Sequence, residues 1–213
     1  MIINVGCNSQ SNEAYPYNIY YPIGYDASSD KGTPLMIFLH GSGERGTDLS
    51  QVENHGPPKK VKEGRQFQCI IFAPQCPNDV WWDVDRLNST LDEVLAKNNI
   101  DQTRIYLTGL SMGGYGTWAW AIENPNKFAA IAPICGGGDP DKAELIAHIP
   151  TWVFHGAQDD VVPVEKSKEM VSALKAAGAT PRFSVYAEAD HDSWTQTYDS
   201  DSFYGWLFGQ RLK

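Results

Sequence analysis

Six short apolar runs, spread along most of the chain, constrain its fold more than any other feature of the sequence. Their residues are apolar at consecutive rather than alternating positions, which is typical of strands that are buried on both faces of a mainly parallel sheet. An earlier stretch, 17–22 (YNIYYP), alternates less cleanly and is predicted to be an edge strand. The six runs are LMIFLH (35–40), CIIFAP (69–74), RIYLTGLS (104–111), AAIAPIC (129–135), TWVFHG (151–156) and FSVYAEA (183–189).

Helical periodicity separates these runs. Apolar residues recur at helical spacing within 84–98, again before a helix stop at Gly178, and again near the end of the chain. The alternation of strand and helix predicts an α/β fold with a mostly parallel central sheet flanked by helices, formed by one domain over residues 1–213. The periodic positions are Leu87, Leu91, Val94 and Leu95, then Met170, Val171, Leu174 and Ala177, then Phe203, Trp206, Leu207 and Leu212.

Composition and charge exclude two classes of partner. The 213 residues carry a formal net charge of −9, whereas nucleic-acid binding needs a basic surface that displaces counterions. The one basic cluster, 59–65 (KKVKEGR), contains its own glutamate and is interpreted as a solvated loop or helix face. No apolar run reaches the roughly 18 residues of a membrane span. We therefore expect a soluble protein without a nucleic-acid or membrane partner.

The N-terminal segment and the cysteines bear on the compartment. The N-terminus lacks the basic start and apolar run of a signal peptide, yet we favour a secreted or periplasmic protein over a cytoplasmic one. Cys7, Cys69, Cys76 and Cys135 form neither a CxxC pair nor a Cys/His cluster with metal-ligand spacing, so no metal is expected. Cys69 is interpreted as a core residue. Cys76 and Cys135 each follow a strand; two free thiols are favoured there, with a disulfide as the alternative.

One strand leads directly into a candidate nucleophile. The segment 109–113 (GLSMG) has the GxSxG pattern, with an apolar strand before it and a helical stretch after it. The pattern alone is weak, but strand, sharp turn and helix together form the setting that lifts a serine hydroxyl clear of a sheet. Gly109 and Gly113 supply the small residues that so sharp a turn requires. We therefore predict that Ser111 is a nucleophile rather than part of a simple connecting turn.

An acyl-transfer serine also requires hydrogen-bond donors for the oxyanion. One donor is the backbone N–H of the residue after the nucleophile, here Met112, and the second comes from a loop after an earlier strand. The strand 35–40 leads into a Gly-rich loop, 41–46 (GSGERG). The amide of Ser42 is the candidate for the second donor, with Gly43 as the alternative.

Five histidines compete for the role of general base. In hydrolases with this elbow, the order along the chain is serine, acid, histidine, which excludes His40 and His55. His148 is expected to be exposed on a short helical segment, and His155, at the end of a strand, is expected to support its loop. That leaves His191, which alone has a suitable acid between itself and the serine.

Taken together, these motifs resemble the α/β-hydrolases. The chain is most similar to the small esterases of the phospholipase/carboxylesterase and dienelactone-hydrolase-like group, in the bacterial "predicted peptidase" branch near feruloyl and acetylxylan esterases. The resemblance spans nearly the whole chain from about Tyr15. It is specific for the fold and for serine-hydrolase chemistry, and much less specific for the substrate. Its segments are LHGSGERG (39–46), ENHGPP (53–58), APQCP (73–77), GLSMGGYGTW (109–118), APICGGG (132–138), HGAQDDVVP (155–163) and DHDSW (190–194).

The resemblance also assigns the acid. Residues 155–163 (HGAQDDVVP) contain two adjacent carboxylates, Asp159 and Asp160. The family pattern reads HGxxDxxVP, so the acid falls on Asp159, and Asp160 falls on a variable position. The same pattern implies Ser111 and His191 as the other members of a Ser-His-Asp triad, which requires no cofactor.

The expected reaction is hydrolysis of a small-molecule or polysaccharide-linked ester, of feruloyl or acetyl type, through an acyl-enzyme. No helical insertion follows 129–135, which predicts an open cleft with little or no lid. Aromatic faces in such a cleft suit sugar or phenolic rings, and Trp82 and Trp194 are the candidates for substrate contacts. Peptidase or amidase activity with the same triad is the alternative. A non-catalytic binding module is less favoured, because the triad and the oxyanion loop are all present.

Overall fold

One eight-stranded sheet forms the centre of the protein. The computed structural model describes residues 2–5 and 14–212. In chain order the strands are β1 (Ile2–Val5), β2 (Tyr17–Tyr20), β3 (Thr33–Leu39), β4 (Ile70–Pro74), β5 (Ile100–Leu110), β6 (Ala130–Ile134), β7 (Trp152–Gly156) and β8 (Arg182–Tyr186). The order across the sheet is β1-β2-β4-β3-β5-β6-β7-β8. Strand β2 runs antiparallel to both neighbours, and the other neighbouring pairs are parallel.

Helices cover both faces of this sheet, so each face contributes to its own apolar core. One core contains residues of the helices at 84–97, 112–123 and 165–176, and the other contains residues of the helices at 194–199 and 201–208. Among the described residues, no helix is long and apolar enough to cross a membrane. The helices are α1 (Gly56–Lys62), α2 (Val84–Lys97), α3 (Met112–Glu123), α4 (Glu165–Ala176), α5 (Trp194–Asp199) and α6 (Asp201–Phe208), with 3-10 helices at Ser42–Glu44, Leu49–Asn54 and Pro140–Ile146.

The six apolar runs are confirmed as strands β3 to β8, and the prediction of a mainly parallel sheet is confirmed with them. The prediction of an edge strand at 17–22 is wrong. Strand β2 lies between β1 and β4, with register pairs on both sides, and all four of its residues are buried. Because both faces of the strand are buried, its side chains do not alternate cleanly between polar and apolar.

The helical predictions hold with changes at their ends. Helix α2 matches the segment 84–98, and α4 is followed by Gly178 in the left-handed conformation, with φ of 86°. The closing helix ends at Phe208, so Leu212 lies beyond it and donates its backbone N–H to Thr103. Helix α1 was not predicted, although two prolines at its start are a known helix-initiation signal.

The connection after β6 is short. Residues 135–151 contain a single 3-10 helix, Pro140–Ile146, and no inserted helical layer. The prediction of little or no lid at this connection is confirmed. The carboxyl edge of the sheet, where ligands bind in open α/β folds, is therefore uncovered on this side.

The cysteines of the described chain are free thiols. Cys69, Cys76 and Cys135 are all buried and unbridged, which confirms the favoured interpretation over a Cys76–Cys135 disulfide. Burial raises the pKa of the Cys76 thiol to about 11. Cys7 lies outside the described residues.

Candidate active site

Ser111 stands at the sharp turn between β5 and α3. Its backbone has φ of 52° and ψ of −116°, a conformation that L-residues rarely adopt. The turn is tight because backbone packs on backbone: a Cβ on Gly109 would collide with the carbonyl of Gly113, and a Cβ on Gly113 would collide with that of Leu39. The prediction that both positions require small residues is confirmed, and the contacts with backbone atoms restrict them further to glycine. The turn presents a partly exposed hydroxyl at the carboxyl edge of the sheet.

The backbone conformation of Ser111 predicts a gain of stability when its side chain is removed entirely. Strain of this kind costs about 1–3 kcal/mol, and glycine tolerates a positive φ whereas alanine does not. We expect Ser111→Gly to raise the free energy of unfolding by about 1 kcal/mol relative to Ser111→Ala. Urea unfolding of the two variants checks this, and equal stability of the two would contradict a strained elbow.

The imidazole of His191 lies between Ser111 and Asp159. Its Nδ1 is 2.8 Å from Asp159 Oδ2, and its Nε2 is 2.9 Å from Ser111 Oγ. An ionised carboxylate only accepts hydrogen bonds, so Nδ1 carries the proton and Nε2 offers a lone pair to the serine hydroxyl. The three side chains predicted from sequence therefore form one hydrogen-bonded chain, although Asp159 and His191 are separated from Ser111 by tens of residues.

The carboxylate of Asp159 is fully buried and fully engaged. Oδ1 accepts the backbone N–H groups of Val161 (3.0 Å) and Val162 (2.8 Å), and Oδ2 accepts from His191. The exposed fraction of its side chain is 0%. Burial raises the pKa of Asp159, but the hydrogen bonds from His191 and from the two amides outweigh it, so the net pKa lies below the usual range. Asp159 is therefore ionised at neutral pH, as the partner of an imidazole must be.

His155 and Asp160 have the contrasting environments expected from sequence. His155 is buried, with Nε2 2.8 Å from the carbonyl of Val162 and 3.2 Å from Asp159 Oδ2, and Nδ1 2.7 Å from Ser167 Oγ. Burial lowers the pKa of His155, so the neutral ring supports the loop that carries Asp159. Asp160 is exposed.

The two candidate oxyanion donors open two different helices. Ser42 is the first residue of a 3-10 helix and Met112 is the first residue of α3, and amides at a helix start have no partner within the helix. Glu44 stabilises the loop that carries Ser42, because its Oε2 accepts the N–H of Gly41 at 3.0 Å. Gly41 itself packs against Leu110, where a Cβ would lie 2.7 Å from Leu110 Cδ1, which keeps this loop next to the elbow.

His40 precedes the candidate oxyanion loop, 41–46, and is hydrogen-bonded to it. Because the ring is buried, it also makes the stability of the protein depend on pH. It is completely buried; Nδ1 donates to the carbonyl of Gly41 (2.6 Å) and Nε2 accepts the N–H of Cys76 (2.9 Å). Burial lowers the pKa of His40 to about 4, against about 6.5 in an unfolded chain. Between those values the unfolded state binds more protons, so the stabilising contribution is complete above pH 6.5 and is lost as the pH falls towards 4.

We therefore expect the His40 ring to stay neutral down to about pH 5 and to cost up to about 3 kcal/mol of stability at lower pH. A histidine NMR titration of the native protein checks the first part, and urea unfolding between pH 7 and 4.5 checks the second. A His40 ring that titrates near pH 6.5 would contradict this.

One group of potential metal ligands lies within the site. Ligand atoms of Cys135, Asp159 and His191 lie within 4.8 Å of one another. Burial raises the pKa of the Cys135 thiol to about 12, and the carboxylate is already engaged with the imidazole. The carboxylate and the imidazole are hydrogen-bonded to each other and the thiol is neutral, which is a poor match to the thiolate that a metal would require.

The two candidate substrate-contacting tryptophans have different environments. Trp82 is only 9% exposed; its indole N–H donates to the carbonyl of His40 and its ring packs on Tyr15 and His40. Trp194 is half-buried, and its ring stands edge-on to His191 at 5.2 Å. The geometry thus gives Trp82 a packing position beneath the site and Trp194 a position beside the candidate base.

The sequence interpretation assigned no role to two residues near this site. Glu44 and His55 approach each other at 3.6 Å, and His55 Nδ1 accepts the indole N–H of Trp194 at 3.3 Å. The order rule that excluded His55 as the base does not address a supporting role. A local signal was present only for the backbone position: Pro57 and Pro58 indicate a helix start, which places His55 at the N-cap, but its side chain makes no capping hydrogen bond.

The chain is similar in sequence to known hydrolases. The family model of the dienelactone hydrolase family matches residues 71–203. A probable feruloyl esterase C of Aspergillus terreus is 28% identical over 175 residues, covering 78% of this chain and 62% of that protein. A bifunctional acetylxylan esterase/xylanase of Neocallimastix patriciarum is 28% identical over 137 residues, covering 61% of this chain and 20% of that protein.

Among solved structures, one described as a thermostable esterase is 35% identical with a TM-score of 0.81, covering 99% of this chain and 63% of that one. This similarity confirms the α/β-hydrolase fold. The chain thus spans less than two thirds of the length of each of these three proteins.

Proposed function

The chain belongs to the dienelactone hydrolase family, and on that premise we propose that it is a serine esterase with Ser111, His191 and Asp159 as its catalytic triad. The observation that carries the proposal is the hydrogen-bonded chain from Ser111 Oγ through His191 to the buried carboxylate of Asp159, with contacts of 2.9 and 2.8 Å. The strained elbow at Ser111 and the position of Ser42 and Met112 at the starts of two helices support the proposal, because acyl transfer needs a presented hydroxyl and amide donors for the oxyanion.

Each group has a defined step in this mechanism. Ser111 Oγ attacks the ester carbonyl while His191 Nε2 takes its proton; the imidazolium then gives that proton to the leaving alcohol. Asp159 fixes the tautomer and stabilises the imidazolium. The amides of Ser42 and Met112 bind the oxyanion, each worth about 3 kcal/mol of the barrier. Water then attacks the acyl-enzyme by the same route, with His191 again as the base, and releases the acid.

We propose a small or carbohydrate-linked ester of acetyl or feruloyl type as substrate. Two curated relatives are described as a feruloyl esterase and an acetylxylan esterase/xylanase, and no inserted layer follows β6 to cover the cleft. Trp194 lies beside His191, the proposed proton donor to the leaving group, so its ring is our candidate for contact with a sugar or phenolic ring.

A panel of esters tests this function. We expect hydrolysis of short p-nitrophenyl esters, with methyl ferulate and acetylated xylan deciding between acyl types, and we expect a fluorophosphonate probe to label Ser111. Turnover of an aminoacyl amide without turnover of p-nitrophenyl acetate would instead indicate a peptidase. Failure of the probe to label the wild-type protein would exclude the serine-hydrolase mechanism.

A further inference from the structure

Three side chains outside the triad link its base to the oxyanion loop. Glu44, in the oxyanion loop, has Oε1 3.6 Å from His55 Nε2. His55 Nδ1 lies 3.3 Å from the indole Nε1 of Trp194. Trp194 in turn stands edge-on to His191, with ring centroids 5.2 Å apart and an interplanar angle of 89°. This Glu44–His55–Trp194 relay joins segments that are far apart in sequence.

The hydrogen-bonding roles within the relay follow from the chemistry of each group. An indole N–H can only donate, so His55 Nδ1 accepts with its lone pair and Nε2 carries the proton. That proton faces the Glu44 carboxylate, which is buried, with 6% of the residue exposed. The other carboxylate oxygen of Glu44 accepts the N–H of Gly41 at 3.0 Å. Only the neutral Nε2–H tautomer of His55 satisfies both neighbours.

The position of His55 is itself fixed by the fold. His55 is the N-cap of α1, and the next residue, Gly56, has φ of 64°. A Cβ at Gly56 would meet the ring of Phe38, a buried residue of β3. The backbone of His55 is thus fixed next to β3, and from that position its imidazole contacts both Glu44 and Trp194.

We propose that His55 is a positioning residue that couples the oxyanion loop, through Glu44, to the catalytic-histidine loop, through Trp194. The inference rests on the proposed function, because its consequence is the placement of the oxyanion donors relative to His191. A misplacement of about 1 Å between such groups can cost up to about a hundredfold in rate. Loss of the relay should therefore lower kcat while KM for a small ester changes little.

Substitutions at both ends of the His55–Trp194 contact test the coupling. We expect His55→Ala to lower kcat for p-nitrophenyl acetate about tenfold. His55→Asn should recover kcat to within about threefold of wild type, because its Oδ1 can still accept the indole N–H. Trp194→Phe, which keeps a ring edge but removes the donor, should lower kcat severalfold. The double variant His55→Ala/Trp194→Phe should be no slower than the slower single variant, since both remove one interaction.

His148→Ala is the matched control, because it removes an exposed histidine that bonds the carbonyl of Pro125; its kcat should equal that of wild type. If the two single losses in kcat multiply in the double variant, the coupling is overturned. His55→Ala with wild-type kcat, or with a raised KM and unchanged kcat, would also overturn it.

A readout independent of turnover separates this inference from the proposed function. In NMR spectra, His55→Ala should shift the Trp194 indole N–H and the Gly41 amide together, whereas a Gly41 signal that stays in place would overturn the coupling. A wild-type protein that hydrolyses no ester would refute the proposed function alone, and these NMR shifts would still decide the relay.

Discussion

Replacing Ser111 with alanine is expected to lower kcat for a p-nitrophenyl ester by about 10⁵-fold or more and to abolish labelling by a fluorophosphonate. The expectation follows from the contact of 2.9 Å between Ser111 Oγ and His191 Nε2, because the proposed mechanism has His191 activate this hydroxyl. Alanine retains the backbone strain of the elbow, so the free energy of unfolding should change by less than about 1 kcal/mol. Steady-state kinetics, intact mass after labelling and urea unfolding measure the three quantities.

The control for this prediction is Ser89→Ala, an exposed serine on α2, which should leave kcat within about twofold of wild type. A Ser111→Ala protein that keeps more than about one per cent of wild-type turnover would show that the observed ester hydrolysis does not proceed through this serine. Labelling of a different residue in that variant would point to the same conclusion.

Local sequence patterns predicted the strands and the elbow because the physics that forms them is local. The runs at 35–40 and 104–111 are mostly apolar where the sheet buries them, with His40 and Thr108 as buried polar exceptions. The glycines around Ser111 are dictated by backbone contacts within the elbow and with the adjacent strand. Where burial or a steric limit acts on consecutive residues, the pattern carries enough information to place the element.

The features that the sequence did not reveal depend on contacts between distant segments. Whether β2 is an edge strand depends on β1, which pairs with it along its full length, and nothing within 17–22 reports that neighbour. Trp82 follows the active edge in sequence, yet its ring turns inward onto His40. The contact of His55 with Trp194 spans 139 residues, and it is visible only after both loops are placed beside Ser111.

The choice between the two candidate acids depended partly on local sequence and partly on contacts between distant segments. Sequence pattern alone left two adjacent carboxylates, and the resemblance to a family selected Asp159 over Asp160 by register. The fold adds the physical reason: the turn after β7 directs one carboxylate towards the amides of Val161 and Val162 and towards His191, while its neighbour faces solvent.

Asp159→Asn is therefore expected to lower kcat about 10⁴-fold, whereas Asp160→Asn should leave it within about twofold of wild type. The amide of asparagine can present N–H to His191 Nδ1, which favours the tautomer with the proton on Nε2 and removes the lone pair that Ser111 needs. The two variants change the same functional group at adjacent positions, so each serves as the control for the other. Kinetics with p-nitrophenyl acetate, together with thermal unfolding to verify the fold, measure the difference. The geometry assigns the contact with His191 to Asp159 and not to Asp160. A severe loss in the Asp160 variant with a near-normal Asp159 variant would therefore contradict this assignment and identify Asp160 as the acid.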